Sequence, residues 1–296
     1  MADYNLFKNG YIMRKIGTSL LLLIPFLALS QWGTVFDDLS MPSKILDMDR
    51  KYAIYLPPDY ETSQRSYPVL YLLHGAGDDQ SGWVLKGEVK SIMDKAIARG
   101  KSTAMIVVMP DAQTGQRGYF NSPDGDWRYE DFFFDEFMPH IESTYRIIAD
   151  KRNRSIAGLS MGGGGSFIYA LHRPDLFYSS CPMSASTGPA QLEDVDRYFE
   201  RAGVTGATEE DKMKYFKERS VLAQIEEGDI EKLKSVRWYI DCGEDDFLFE
   251  GNSLIHIAMR KREIPHEYRV RDGGHNWKYW RSSLVDVLAF ISKRFS

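Results

Sequence analysis

The chain has little cysteine, no strong charge of either sign and no long unbroken apolar run. Two cysteines in 296 residues, Cys181 and Cys242, are too few for a disulfide framework. Both fall in segments that read as neighbouring buried strands, so two free core thiols are expected. Neither has a histidine beside it or a helix start to activate it. A net charge of −5 gives no electrostatic reason to bind nucleic acid or an anionic membrane. The basic run 259–262 (MRKR) reads as the last turn of a helix, where cations suit the helix dipole. No H-E-x-x-H zinc pattern occurs, and no Gly-Lys-Ser/Thr follows the glycine run 162–165, so neither metal nor cofactor is expected. No repeat, low-complexity tract or linker divides the chain.

What is present begins at the N-terminus. Arg14 and Lys15 precede an apolar stretch from Leu20 to Leu29, which closes on Ala28-Leu29-Ser30 before Gln31. A positive start, a short apolar centre and small residues before the cut are the parts of a secretory signal peptide. The stretch is interrupted by Pro25 and falls short of the about 20 apolar residues that span a bilayer. Cleavage after Ser30 is therefore expected, giving a secreted or periplasmic protein without a stable membrane anchor. The start of translation stays open between Met1 and Met13. Residues 1–30 are set aside, and 31–296 are read as one domain.

At 43% hydrophobic and 13% aromatic, that domain can build a large core and still line a pocket with rings. Short apolar runs alternate with amphipathic stretches. Strands are expected at 51–56, 67–73, 104–109, 154–159, 179–183, 237–241 and 266–270. Helices are expected at 89–98, 132–145, 161–172, 211–224, 253–262 and 279–295. Such alternation gives an α/β fold: a mostly parallel sheet with helices on both faces, antiparallel at the end where strands follow one another directly. Residues 187–235 are polar and largely helical, and read either as an ordinary crossover or as a small cap.

Gly158-Leu159-Ser160-Met161-Gly162 matches G-x-S-x-G. It lies between an expected strand and an expected helix, which is the setting of a nucleophile elbow. The flanking glycines make room for a tight turn that exposes the Ser160 hydroxyl. The turn also aims the helix start, with the Met161 N–H, at a developing oxyanion. His74-Gly75-Ala76-Gly77 follows the strand 67–73, where this fold places its second oxyanion donor, here the Ala76 N–H. His74 itself reads as a structural hydrogen-bonder. In the order Ser, acid, His, the base is His275, alone in the loop DGGHNW before the last helix. The acid follows the preceding strand, in DCGEDDF, where Asp245 and Asp246 are equally placed by spacing. Tyr119, Phe120, Trp127 and Trp277 lie in segments expected to reach the site and to stack on a ring or a sugar.

With these residues in place, the chain resembles the esterase D / antigen 85 branch of the α/β-hydrolases. The resemblance runs from about Tyr52 to Phe295. It rests on YLPPDY, YLLHGAGDDQSGW, MPDA, AGLSMGG, DCGEDDFLFE and GGHNW. It implies an α/β-hydrolase fold, favours Asp246 over Asp245 as the acid, and supports Ala76 and Met161 as oxyanion donors. The leader points away from the cytosolic S-formylglutathione hydrolases of that branch. The subgroup it resembles most is the secreted carbohydrate esterases of feruloyl and acetylxylan type. The partner so implied is an acylated plant polysaccharide or oligosaccharide such as xylan. A short-chain carboxylesterase, an acyltransferase and a catalytically silent binding protein stand as alternatives, and the sequence sets no oligomeric state.

Overall fold

Buried apolar runs pair into one eight-stranded sheet in the order β1-β2-β4-β3-β5-β6-β7-β8. The strands are β1 (Thr34–Ser43), β2 (Met48–Leu56), β3 (Val69–Leu73), β4 (Ile106–Pro110), β5 (Arg154–Leu159), β6 (Ser179–Met183), β7 (Arg237–Gly243) and β8 (His266–Arg271). This is a computed structural model, and it describes residues 32–112, 118–123 and 125–293. The expected leader lies outside the described residues. Strand β2 runs antiparallel to both β1 and β4, and every other pairing is parallel. A mixed sheet of this order, wrapped by helices, is the α/β-hydrolase architecture expected from the sequence.

Side chains alternate across a strand, so a strand buried on both faces must be apolar throughout. In β3, Val69, Tyr71 and Leu73 enter one apolar layer, and Leu70 and Leu72 enter the other. The first layer includes the helices Met161–His172 and Phe249–Lys261; the second includes Val89–Ala98 and Trp277–Ser292. Cys181 and Cys242 are free and buried on the adjacent strands β6 and β7.

Several elements depart from the sequence expectation, and for three of them the physical reason is plain. Strand β1 was not anticipated. It is an edge strand, mostly exposed, with an irregularity between Phe36 and Leu39 around two aspartates, so it carries no apolar alternation. The helix expected over 211–224 is broken at Ser220, whose extended backbone ends Glu209–Arg219. The Ser220 hydroxyl accepts from the Ala223 N–H at 3.1 Å and caps Val221–Glu227. The last helix starts at Trp277 rather than 279, because the Asn276 side chain accepts from the Tyr279 N–H at 3.1 Å and caps it there.

The segment 187–235 divides accordingly. Its second half, with Val221–Glu227, packs on Met161–His172 and Phe249–Lys261 as a crossover between β6 and β7. Its first half, with Val195–Arg201 and Glu209–Arg219, is closed at the base where the Val221 N–H donates to the Thr187 carbonyl at 3.1 Å. Arg219 pins that half against the Phe120 ring, 4.2 Å from its guanidinium, and donates to the Asn121 carbonyl at 2.6 Å.

At the sheet end away from the nucleophile elbow, Arg154 forks onto Glu142 with contacts of 2.7 and 2.8 Å. Glu142 also accepts from the Tyr71 hydroxyl at 3.1 Å. Both charged side chains are nearly buried, 6% and 12% exposed. Removing one partner of such a pair strands the other charge. Glu142→Ala should therefore cost about 3–5 kcal/mol in urea denaturation, and Glu142→Gln less. Equal, small losses for both variants would show that the pair does not hold the strand start.

Candidate active site

Ser160 joins β5 to the helix Met161–His172 with φ 55° and ψ −117°. A side chain at positive φ is strained, by about 1–3 kcal/mol, and persists only where its surroundings fix it. Here the Ser160 N–H donates to the Met183 carbonyl, and its own carbonyl accepts from Gly164 and Ser186, all at 3.0 Å. The neighbouring glycines are needed because the chain packs against itself. A Cβ at Gly158 would lie 2.3 Å from the Gly162 oxygen, and one at Gly162 would lie 2.5 Å from the His74 oxygen.

The ends of β7 and β8 bring an acid and a base to this serine. His275 Nε2 lies 2.9 Å from Ser160 Oγ, and its Nδ1 lies 2.9 and 3.0 Å from the two Asp246 oxygens. With Nδ1–H donating to the carboxylate, Nε2 is left to accept the serine proton. The two loops are fastened to each other. Glu244 N–H donates to the Arg271 carbonyl at 3.0 Å, and Asp245 N–H to the Gly273 carbonyl at 3.1 Å. Beneath them, Arg271 pairs with the buried Asp241 at 2.6 Å, and the Ser283 hydroxyl donates to Asp241 at 2.9 Å.

The tie between the two aspartates is broken by orientation. Asp245 is exposed, while Asp246 is 4% exposed and faces His275. Burial alone would push the Asp246 carboxyl up. Hydrogen bonds from His275, the Leu248 N–H and the Ser184 hydroxyl outweigh burial and hold it below the ordinary carboxylate value. A depressed native value stabilises the fold above the unfolded pKa, and that contribution disappears as pH falls through the native one. The Asp246 carboxylate thus stays ionised across neutral and mildly acidic conditions.

The His74–Gly77 loop lies against Ser160: a Cβ at Gly75 would come 3.4 Å from Ser160 Cβ. Ala76 is exposed on this loop, and Met161 opens the helix. His74 is structural. Its Nδ1 lies 2.8 Å from the Gly75 carbonyl, and its Nε2 accepts from the Ala112 N–H at 3.0 Å. Burial lowers its pKa, which suits a neutral ring with an accepting Nε2. Burial also pushes both thiols up, Cys242 to about 12, so neither is a ready nucleophile. Among the described residues, no group of three or more His, Cys, Asp or Glu could hold a metal ion.

The Esterase family model matches residues 43–291. A solved structure described as a ferulic acid esterase is 38% identical, with a TM-score of 0.78 over 90% of this chain and 99% of that one. The chain belongs to the Esterase family. An endo-1,4-beta-xylanase/feruloyl esterase of Xylanibacter ruminicola is 39% identical over 151 residues, 48% of this chain. The chain spans only 20% of that relative's length. The S-formylglutathione hydrolase of Mus musculus is 24% identical over 82% of this chain and 88% of its own.

The aromatic residues expected to meet a substrate are partly corrected. Tyr119 is fully buried. Its hydroxyl accepts from the His74 N–H at 2.7 Å, so it braces the glycine loop from behind. Trp127 is 3% exposed and donates to the Gly118 carbonyl at 2.9 Å. Each ring is drawn into the core because its polar tip finds a backbone partner there. Trp277 is half-buried, edge-on to Trp83 at 5.1 Å and to Trp280 at 5.4 Å. Phe120 is half-buried beneath Arg219.

One residue was missed: Phe247, 76% exposed, with its ring 4.4 Å from the His275 imidazole. No spacing or alternation in DCGEDDF marks the ring that ends it as a neighbour of His275. Within this family site, Asp246→Asn should lower kcat on short p-nitrophenyl esters by about 10³–10⁴-fold with the fold intact. Asp245→Asn should leave kcat near the wild-type value. The reverse ranking would displace Asp246 from the site.

Proposed function

We propose that this protein is a secreted serine carboxylic-ester hydrolase that removes feruloyl or acetyl groups from plant cell-wall polysaccharide such as xylan. The observation that carries the chemistry is the unbroken chain from Ser160 Oγ through His275 to Asp246, each contact between 2.9 and 3.0 Å. His275 takes the Ser160 proton as Oγ attacks the ester carbonyl. The N–H groups of Ala76 and Met161 hold the oxyanion, and the protonated imidazole then delivers its proton to the departing alcohol. Water, activated by the same imidazole, releases the acid from Ser160. Asp246 keeps the imidazole in the required tautomer and stabilises its charge.

The substrate class is supported by the relatives named for feruloyl esters, at 38% and 39% identity. The N-terminal leader pattern agrees with an extracellular polymer as substrate. The likeness to S-formylglutathione hydrolase favours a second reading, a thioester of a small cytosolic thiol. One panel separates them: purified protein with methyl ferulate, acetylated xylan, p-nitrophenyl acetate and S-formylglutathione. Turnover of the first two is expected, and Ser160→Ala should lower it by at least about 10⁴-fold. Protein recovered from the medium or periplasm should begin at Gln31. Preference for S-formylglutathione, together with an uncleaved N-terminus, would replace this reading with the second one.

A further inference from the structure

Among the described residues, Phe247 is a large apolar side chain beside the triad that is held out into water. Its ring is 76% exposed, although it is packed 4.4 Å from the His275 imidazole. The backbone that carries the ring is not loose. The Asp246 N–H donates to the Gly243 carbonyl at 3.2 Å, the Leu248 N–H to Asp246 Oδ1 at 2.9 Å, and the Phe249 N–H to the Asp246 carbonyl at 2.9 Å. The backbone is thus fixed on both sides of Phe247 by the same carboxylate residue that orients the histidine. Another contact of the imidazole is with Trp280, 4.8 Å away and 6% exposed. Trp280 belongs to the core, so of these two rings Phe247 is the one that a ligand can meet.

The chemistry says which part of a ligand that is. In acyl transfer, the imidazole gives its Nε2 proton to the leaving alkoxide, so the alcohol must pass beside the His275 ring. A ring centred 4.4 Å from that imidazole is within reach of a bulky alcohol that leaves past it. The axial C–H faces of a sugar pack on an aromatic face, whereas a methyl alcohol covers almost none of it.

We propose that Phe247 is the wall of an alcohol subsite and selects esters whose alcohol is a sugar. The proposal rests on the reading of Ser160, His275 and Asp246 as ester-hydrolysing machinery. Phe247 is a specificity residue: it bonds to no reacting atom, and its effect scales with the size and shape of the alcohol.

The test compares two esters that share one acyl group, methyl ferulate and a feruloylated arabinoxylan oligosaccharide, on wild type, Phe247→Ala and Phe247→Tyr. In Phe247→Ala, kcat/KM for the oligosaccharide should fall about 3- to 10-fold more than for the methyl ester. The loss should lie mainly in KM, and Phe247→Tyr should recover it. Equal falls on the two esters would make the ring a support of His275 and overturn the proposal, as would no fall on either. Wild-type turnover of methyl ferulate checks the functional reading separately. If wild type is inactive on both feruloyl esters, the feruloyl part of that reading fails, and ethyl acetate against an acetylated xylo-oligosaccharide repeats the comparison with the same deciding ratio.

Discussion

The site is organised by one strained residue held by close backbone packing. Ser160 sits at φ 55° because β5 must turn sharply into a helix that lies against the end of β3. Gly158 and Gly162 let the strand, the helix and the His74 carbonyl approach to distances at which no Cβ fits. The hydroxyl is thereby lifted out of the sheet, and the same turn directs the helix N-terminus toward it. The remaining functional groups arrive from loops at the same end of the sheet. Loops after β3, β7 and β8 supply the glycine run, the acid and the base.

Those loops are short, and they are not left to their own stiffness. His74 spends both ring nitrogens on backbone groups, and Tyr119 clasps its N–H from behind. The Asp241–Arg271 pair, with Ser283, ties the roots of the acid and base loops, and two backbone hydrogen bonds join them higher up. Buried charges in this chain recur at such fastening points. Their hydrogen bonds offset the burial cost only where the geometry is closed on all sides, as it is around Asp246.

Much of this was legible in the sequence, and the exceptions share a cause. The helix Met161–His172 and the strands β5 and β6 fall on the expected residues, because buried elements leave a signal of short, compact runs of apolar and small residues. Strand β1 left none, since an exposed, irregular edge has no reason to alternate. Spacing placed the acid to within one residue but not its orientation: Asp245 and Asp246 differ only in which way the turn points them. Tyr119 and Trp127 were misjudged as substrate contacts because a sequence shows that a ring is near a site, not which side of the wall it occupies. Phe247 was overlooked for the converse reason.

The central claim is that Ser160 is a nucleophile activated by His275. Treatment with a fluorophosphonate, followed by intact-protein and peptide mass measurement, tests it most directly. The account predicts one adduct per chain, on Ser160, formed at a rate that collapses in folded His275→Ala. Modification of a different residue, or labelling of Ser160 at the same rate in wild type and His275→Ala, would contradict it.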